Sequence, residues 1–434
     1  MKNLQQNITS KDAKIGIIGL GYVGLPLVAS FLKQGFNVIG IDIDKHKIDQ
    51  LLKGNSYISH IGPSFLAEHV GKSLKVSTDI SIIQEVDVII LCLPTPLKTN
   101  KEPDMSYVFN TIDRAIPFLR EGQALSLEST TYPGTTSEDI YKKLKINGFI
   151  PGENFSLIYS PEREDPGNEN FNTQTIPKIV SGHTKSCLVI GKAIYSQIVD
   201  KVISVSSTQT AELTKLLENI HRAVNIGLVN EMKIVAEELG IDIYEVIDAA
   251  STKPFGFTPY YPGPGIGGHC IPIDPFYLTW KAKQYGVHTK FIELAGEINS
   301  HMPYRVVERA LIILKNKSID LKKAKILILG IAYKKDVDDI RESPSLIIMD
   351  LLEEKGPTVD YSDPFIASFP NTRKYNFERD SIEINKQNLQ KYDLVILCTD
   401  HTSFDYNLIL KESIDLLDTR GIYRDINLTN LHKA

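Results

Sequence analysis

Cys270 sits in the run Gly265-Ile-Gly-Gly-His-Cys-Ile-Pro-Ile-Asp-Pro275, and the same chain opens with a glycine-rich turn of the kind that holds a dinucleotide. A thiolate adds to carbonyl carbon, and a dinucleotide removes hydride, so the pair points to covalent redox chemistry at one carbon. Taken alone, a cysteine between a glycine turn and a proline reads more often as a buried small hydrophobe. Its neighbours decide between the two.

Lys14-Ile-Gly-Ile-Ile18 reads as a short buried strand running into Gly19-Leu-Gly21-Tyr22-Val23-Gly24, with an apolar stretch of helical spacing through Phe31 behind it. In that arrangement Gly19 permits the tight turn, Gly21 lets backbone approach a pyrophosphate and Gly24 packs helix on strand. Gly19, Gly21, Tyr22, Val23 and Gly24 are therefore the expected cofactor contacts. A second strand, Asn37-Val-Ile-Gly-Ile41, ends at Asp42. An acidic side chain there accepts from the adenosine ribose hydroxyls and repels the extra phosphate of NADP, which makes NAD the expected cofactor. Lys47 either reaches the same end of the cofactor or is a solvated helix lysine.

Further strands are expected at Val86–Leu93, Ala124–Leu127 and Phe155–Tyr159. Ligands of doubly wound sheets lie outside the carboxyl ends of strands, so Thr95, Ser129 and Thr130 are placed to face a cofactor, or else cap turns. Glu162 follows the third strand to the same edge. From Ser206 the periodicity becomes helical over Leu213, Leu216, Leu217, Ile220, Val224, Leu228 and Met232. On that helix Lys215 and Asn219 are four apart, a spacing that suits two donors converging on one oxygen and equally an exposed face. Thr252–Pro275 is rich in glycine and proline. Near Leu321 an α/β pattern restarts, with Ala324–Gly330 and Tyr392–Asp400 as strands but no complete dinucleotide turn; Lys334, Lys335 and Arg341 beside it either hold a phosphorylated ligand or are solvated.

The 434 residues suit two or three domains. A net charge of -5 without a basic excess argues against a nucleic-acid partner. Cys92, Cys187, Cys270 and Cys398 are scattered with no zinc spacing, so no metal is expected and a reduced, cytoplasmic setting is. Met1–Lys14 lacks the apolar core of a secretory signal, and no apolar run approaches the roughly twenty residues of a membrane span, so no membrane association is expected.

Gly19–Pro26, Ser160-Pro-Glu162, Lys215 with Asn219, Gly267–Asp274 and Tyr333–Pro344 together resemble the UDP-glucose/GDP-mannose dehydrogenase family over nearly the whole chain. The resemblance implies an α/β fold of two Rossmann-like doubly wound domains joined by a long central helix. Its expected parts are an NAD-binding domain (1–203), a central helical dimerisation domain with the cysteine loop (204–305) and a nucleotide-sugar-binding domain (306–434). The implied activity is a four-electron oxidation of the C6 alcohol of a UDP-sugar to the uronic acid, through a thiohemiacetal and a thioester on Cys270. Lys215 and Asn219 match positions that stabilise alkoxide, Asp274 one that moves protons with a water near Thr130, and Glu162 an acid of the same pocket. Tyr260, Tyr261, Gly267 and Lys334 match substrate contacts, and Arg341 a contact to NAD.

The stretches around Glu162 and Cys270 are most similar to the branch acting on UDP-N-acetylglucosamine; UDP-glucose, UDP-N-acetylmannosamine and UDP-N-acetylgalactosamine are the alternatives. Where UDP-glucose dehydrogenases carry an acid and a lysine, this chain has Pro166 and Ile273. The base for thioester hydrolysis therefore stays open among Glu162, Asp274 and Glu164. A homodimer through the central helix is implied, although burial within one subunit produces the same apolar spacing. A two-electron hydroxyacid dehydrogenase or a non-catalytic NAD-binding protein are the readings from other classes.

Overall fold

The computed structural model describes residues 2–433 apart from 59–60, 165–170, 269–270, 371 and 373. The chain divides into two compact units, Met1–Glu218 with Phe276–Val287, and Asn219–Pro275 with His288–Ala434. The division falls inside one continuous helix, Thr208–Glu238.

The first unit is built on β1 (Lys14–Ile18), β2 (Asn37–Ile41), β3 (Leu74–Ser77), β4 (Val88–Leu91), β5 (Ala124–Leu127), β6 (Ser156–Tyr159), β7 (Lys178–Gly182) and β8 (Val202–Ser204). They lie in the order β3-β2-β1-β4-β5-β6-β7-β8. Every residue of β4, β5 and β6 is buried. That is why these strands read as continuous apolar runs rather than alternating ones. The chain reverses its winding between β1 and β4, which opens a crevice at their carboxyl ends. Neighbours are parallel except β6 and β7, which pair antiparallel through Ile158 with Gly182 and Tyr159 with Ser181.

The second unit holds β9 (Lys325–Leu329), β10 (Thr358–Ser362), β11 (Leu394–Leu397), β12 (Leu416–Asp418) and β13 (Leu431–Lys433), ordered β10-β9-β11-β12-β13 and parallel throughout. Side chains of a strand alternate between faces. Accordingly Ile326 and Ile328 enter one core with Met349 and Leu352, whereas Leu327 and Leu329 enter the other with Tyr392 and Ile409. Both sheets are thus doubly wound and Rossmann-like, and the long central helix is present.

Three local points are added to, or altered from, the reading of the sequence. The polar N-terminus forms a helix, Lys2–Thr9, whose Leu4 and Ile8 are buried in the first core. The expected strand Val86–Leu93 pairs only over Val88–Leu91. It stops because the Ser129 hydroxyl takes both main-chain groups of Leu93, accepting from its N–H at 2.9 Å and donating to its carbonyl at 2.7 Å. Ser129 is therefore committed to joining two strand ends rather than to facing a cofactor. Finally, Lys215 and Asn219 are buried, not part of an exposed helix face.

Candidate active site

The dinucleotide turn is shaped by what a side chain would strike. Gly19 has φ +92°, and a Cβ there would lie 2.2 Å from the Cys92 carbonyl oxygen; one on Gly24 would lie 1.8 Å from the Gly19 carbonyl oxygen. A Cβ on Gly21 would meet nothing within 4 Å. Two glycines are required by close backbone approach, and the third leaves an open side. That is the cradle a pyrophosphate needs at the start of the helix Gly24–Lys33. Tyr22 and Val23 pack on the core beneath.

Asp42 follows β2 and is mostly buried. Its Oδ2 accepts the Leu20 N–H at 2.8 Å and Oδ1 accepts the Asp44 N–H at 2.9 Å, so the carboxylate ties the second strand to the turn. Lys47 Nζ lies 3.2 Å from Asp42 Oδ2, which places it at the same end of the turn. Thr95 is buried just beyond β4, where its carbonyl accepts from the Tyr277 hydroxyl at 2.9 Å. Thr130 lies half-buried beyond β5.

The same unit gathers Glu162 with groups that sequence reasoning missed. Glu162 Oε1 accepts the N–H groups of Arg163 at 2.6 Å and Glu164 at 2.5 Å, and Oε2 lies 3.5 Å from Lys178 Nζ. Lys178 in turn bonds Glu128 Oε2 at 2.6 Å, and both side chains are shielded from solvent. Burial works against charge on Glu162, but Lys178, Lys215 and the two amides outweigh it and hold the carboxyl below its usual range. Glu164 is pushed the other way by burial and by the Glu162 charge. The two neighbouring carboxyls are thus shifted in opposite directions by their surroundings.

The helix that carries Lys215 is anchored one turn earlier by Glu212. Its carboxylate accepts the Gly134 N–H at 2.7 Å and the Thr136 N–H at 2.9 Å, in the segment that follows Thr130. Arg163 forks onto Glu218 with contacts of 3.2 and 2.6 Å, a bidentate geometry that fixes the turn beyond β6. Neither pair has a signature in sequence, because the partners are more than fifty residues apart.

In the second unit Asn219 Nδ2 donates to Asp274 Oδ2 at 2.5 Å, with both residues buried. Asp274 opens the helix Asp274–Lys283. The glycines before it are in contact with the segment Tyr333–Pro344: a Cβ on Gly267 would lie 2.6 Å from Tyr333 Cβ, and the Gly268 N–H donates to the Arg341 carbonyl at 2.8 Å. Lys334 is half-buried there. The Arg341 guanidinium folds back onto Asp339, two residues earlier, at 2.6 Å. Tyr260 pairs with His221 at 3.1 Å and the Tyr261 hydroxyl donates to Asp248 at 2.6 Å.

Cys270 and Pro166 lie outside the described residues. The other three cysteines do not suit a nucleophile. Burial pushes the Cys92 thiol well up and the Cys398 thiol to about 12, and Cys187 is buried beneath a bond from Thr184. Among the described residues no group of three or more His, Cys, Asp or Glu is placed to hold a metal ion, and no helix is long and apolar enough to cross a membrane.

A dinucleotide cradle at the switch point of one doubly wound sheet suits an enzyme that passes hydride to a nicotinamide dinucleotide, the class of NAD-dependent dehydrogenases. Comparison with known proteins makes the class specific: the chain belongs to the UDP-glucose/GDP-mannose dehydrogenase family, matching its NAD binding domain over residues 13–199, its central domain over 209–301 and its UDP binding domain over 327–425. It is 34% identical over 428 residues to a UDP-N-acetyl-D-mannosamine dehydrogenase of Methanococcus vannielii, covering 95% of this chain and 93% of that one. It is 33% identical over 396 residues to a UDP-N-acetyl-D-glucosamine 6-dehydrogenase of Pseudomonas aeruginosa, covering 91% and 92%. Among solved structures, a UDP-D-ManNAc dehydrogenase from Pyrococcus horikoshii superposes with a TM-score of 0.86 at 29% identity, covering 97% of this chain and 98% of that one. The protein is an NAD-dependent oxidoreductase of UDP-sugars.

Proposed function

We propose that this enzyme oxidises the C6 alcohol of an N-acetylated UDP-hexosamine, UDP-N-acetylglucosamine in the first instance, to the uronic acid without releasing the aldehyde. The single observation that carries the reading is the buried Asn219–Asp274 hydrogen bond. A carboxylate held this way at a helix start is a proton acceptor with a fixed direction, and Lys215 one turn earlier on the same helix adds a buried ammonium.

NAD held by Gly19, Gly21, Tyr22, Val23, Gly24, Asp42 and Lys47, with Thr95, Thr130 and Arg341 as further contacts, supplies the hydride acceptor. Lys215 and Asn219 stabilise alkoxide character on the C6 oxygen, and Asp274 takes its proton. Cys270, four residues before Asp274, is the nucleophile that retains the half-oxidised carbon, first as thiohemiacetal and then as thioester. Glu162, held ionised by its surroundings, removes a proton from the water that cleaves the thioester. Tyr260, Tyr261, Gly267 and Lys334 contact the nucleotide sugar. The domain limits at 203 and 305 suggested by sequence stand as part of this proposal.

UDP-N-acetylmannosamine is a second reading, favoured by a relative of that name at 34% identity against 33% for the one named for UDP-N-acetylglucosamine. The test is a panel of UDP-sugars scored for NADH released per sugar consumed. Two NADH with UDP-N-acetylglucosamine, and loss of acid product in Cys270→Ala, are expected. Turnover of UDP-glucose with none of the acetamido sugars, or one NADH per sugar, would overturn the proposal.

We further propose a homodimer through the central helix. Leu213, Leu217, Leu228, Met232 and Val235 recur at spacings that share one helix face, and all of them are exposed.

A further inference from the structure

The reversed strand of the first sheet carries the clearest unassigned group. In a parallel sheet the carboxyl edge is lined by strand exits. Here β7 runs against β6, so its first residue, Lys178, arrives at the edge where β5 releases Glu128 and β6 releases Ser160–Glu164. The lysine side chain is 5% exposed and sits over the Tyr195 ring at 5.3 Å, whose hydroxyl pairs with Ser126 Oγ at 2.7 Å.

We propose that Lys178 is a positioning residue for Glu162: anchored by Glu128, it fixes the Glu162 carboxylate so that this group, and not Glu164, takes the proton of the hydrolytic water. The inference rests on the reading of Glu162 as that base. In the step it serves, the water oxygen bonds the acyl carbon, one water proton passes to Glu162, and the carbon–sulfur bond breaks with its electron pair on sulfur, which departs as thiolate.

Three observations carry it. The ammonium lies between two carboxylates at unequal distances, 2.6 Å from Glu128 and 3.5 Å from Glu162, so it is committed to the first and only steers the second. The three groups together hold one negative charge more than positive when ionised, and the ammonium stabilises the charge on Glu162, so this carboxylate stands ionised to receive the water proton. Glu128 Oε1 is buried without a hydrogen-bond partner while Oε2 bonds Lys178, so the paired oxygen of this carboxylate is the one that holds the lysine, with Tyr195 beside it. Burial pushes Glu128 up to about 7, whereas Lys178 stays charged against its own burial because two carboxylates face it. The remaining titratable neighbours are Cys92 and Tyr195 beside Lys178, and Lys215 and Glu164 beside Glu162.

The test compares Lys178→Met, Lys178→Arg, the double variant Lys178→Met/Glu128→Gln and Glu162→Gln, each checked for a native circular dichroism spectrum. The double variant removes both buried charges and so remains informative if Lys178→Met does not fold. Loss of the ammonium is expected to lower kcat about tenfold or more with KM for the UDP-sugar little changed, to move the acidic limb of kcat upward by about one pH unit, and to accumulate the sugar–enzyme adduct seen by intact mass spectrometry. Lys178→Arg is expected to restore the limb. If the folded double variant keeps the parent limb and no adduct accumulates, while Glu162→Gln does accumulate adduct, the role of Lys178 is refuted and that of Glu162 survives. If Glu162→Gln hydrolyses the adduct at the parent rate, the base assignment fails and the inference with it.

Discussion

Asp42 and Asp363 hold equivalent posts in the two sheets. Each follows the strand that flanks the first strand of its sheet, and each carboxylate Oδ2 accepts, at 2.8 Å, the N–H of the residue after the glycine that ends that first strand: Leu20 in one case, Ile331 in the other. The glycine N–H groups match as well, Gly19 donating to Ile41 and Gly330 to Ser362, both at 2.8 Å. The units part company at the next residues. Where the first has Gly21 and Gly24, the second has Ala332 and Lys335, and the buried His401 imidazole lies 3.1 Å from Asp363. One turn keeps an open phosphate cradle; the other is filled and presents lysines.

Substitution within the cradle separates binding from folding. Gly21→Ala adds a methyl group to open space, so its melting temperature is expected to stay within about two degrees of the parent while NADH binding, followed by fluorescence, weakens at least tenfold. Gly24→Ala drives Cβ into the Gly19 carbonyl and is expected to cost several kcal/mol of stability. Equal loss of stability in the two variants would show that Gly21 is only structural.

Glu212 gives the fold a pH dependence of defined sign. Burial outweighs its two amide bonds and raises its pKa from 4.5 to about 7, so the protonated form suits the folded state. Its contribution is complete below about 4.5 and is lost as pH rises through 7, a change on the order of 3 kcal/mol. Glu212→Gln has no such loss. Urea midpoints at pH 5, 6, 7 and 8 should show the stability of the parent falling relative to the variant across that interval; parallel curves would disprove the account.

Charge placed in the apolar stripe tests the proposed dimer. Leu217 and Leu228 are 63% and 54% exposed in one chain, far more than buried leucines tolerate. Leu217→Lys/Leu228→Lys is expected to convert the parent to a monomer by light scattering while the monomer keeps its helical circular dichroism. A parent that is already monomeric would remove the basis for the proposal.

What was legible from sequence is what is local. The turn Gly19–Gly24, the strands on either side of it and the acid at position 42 lie within thirty residues, and each carries its own period or backbone requirement. The helix of Lys215 and Asn219 was equally readable, but not its burial, since four-residue spacing is the same on a wet face as on a dry one. The Lys178–Glu128 pair was invisible, because fifty residues separate its members and only the reversal of β7 unites them. Ser129 was misplaced for a related reason: a hydroxyl beyond a strand can turn to a ligand or back to a neighbouring chain, and only the backbone of Leu93 decides which.

The reversal of β7 also decides which charge the sheet holds. Lys178 begins β7, where its main chain pairs with Val202 of β8, while the far end of the same strand, Ser181 and Gly182, pairs with β6. Glu162 lies in irregular chain beyond β6. The cation thus belongs to a strand and the carboxylate it faces to irregular chain, so the sheet, through Lys178, sets where the charge of that irregular segment lies.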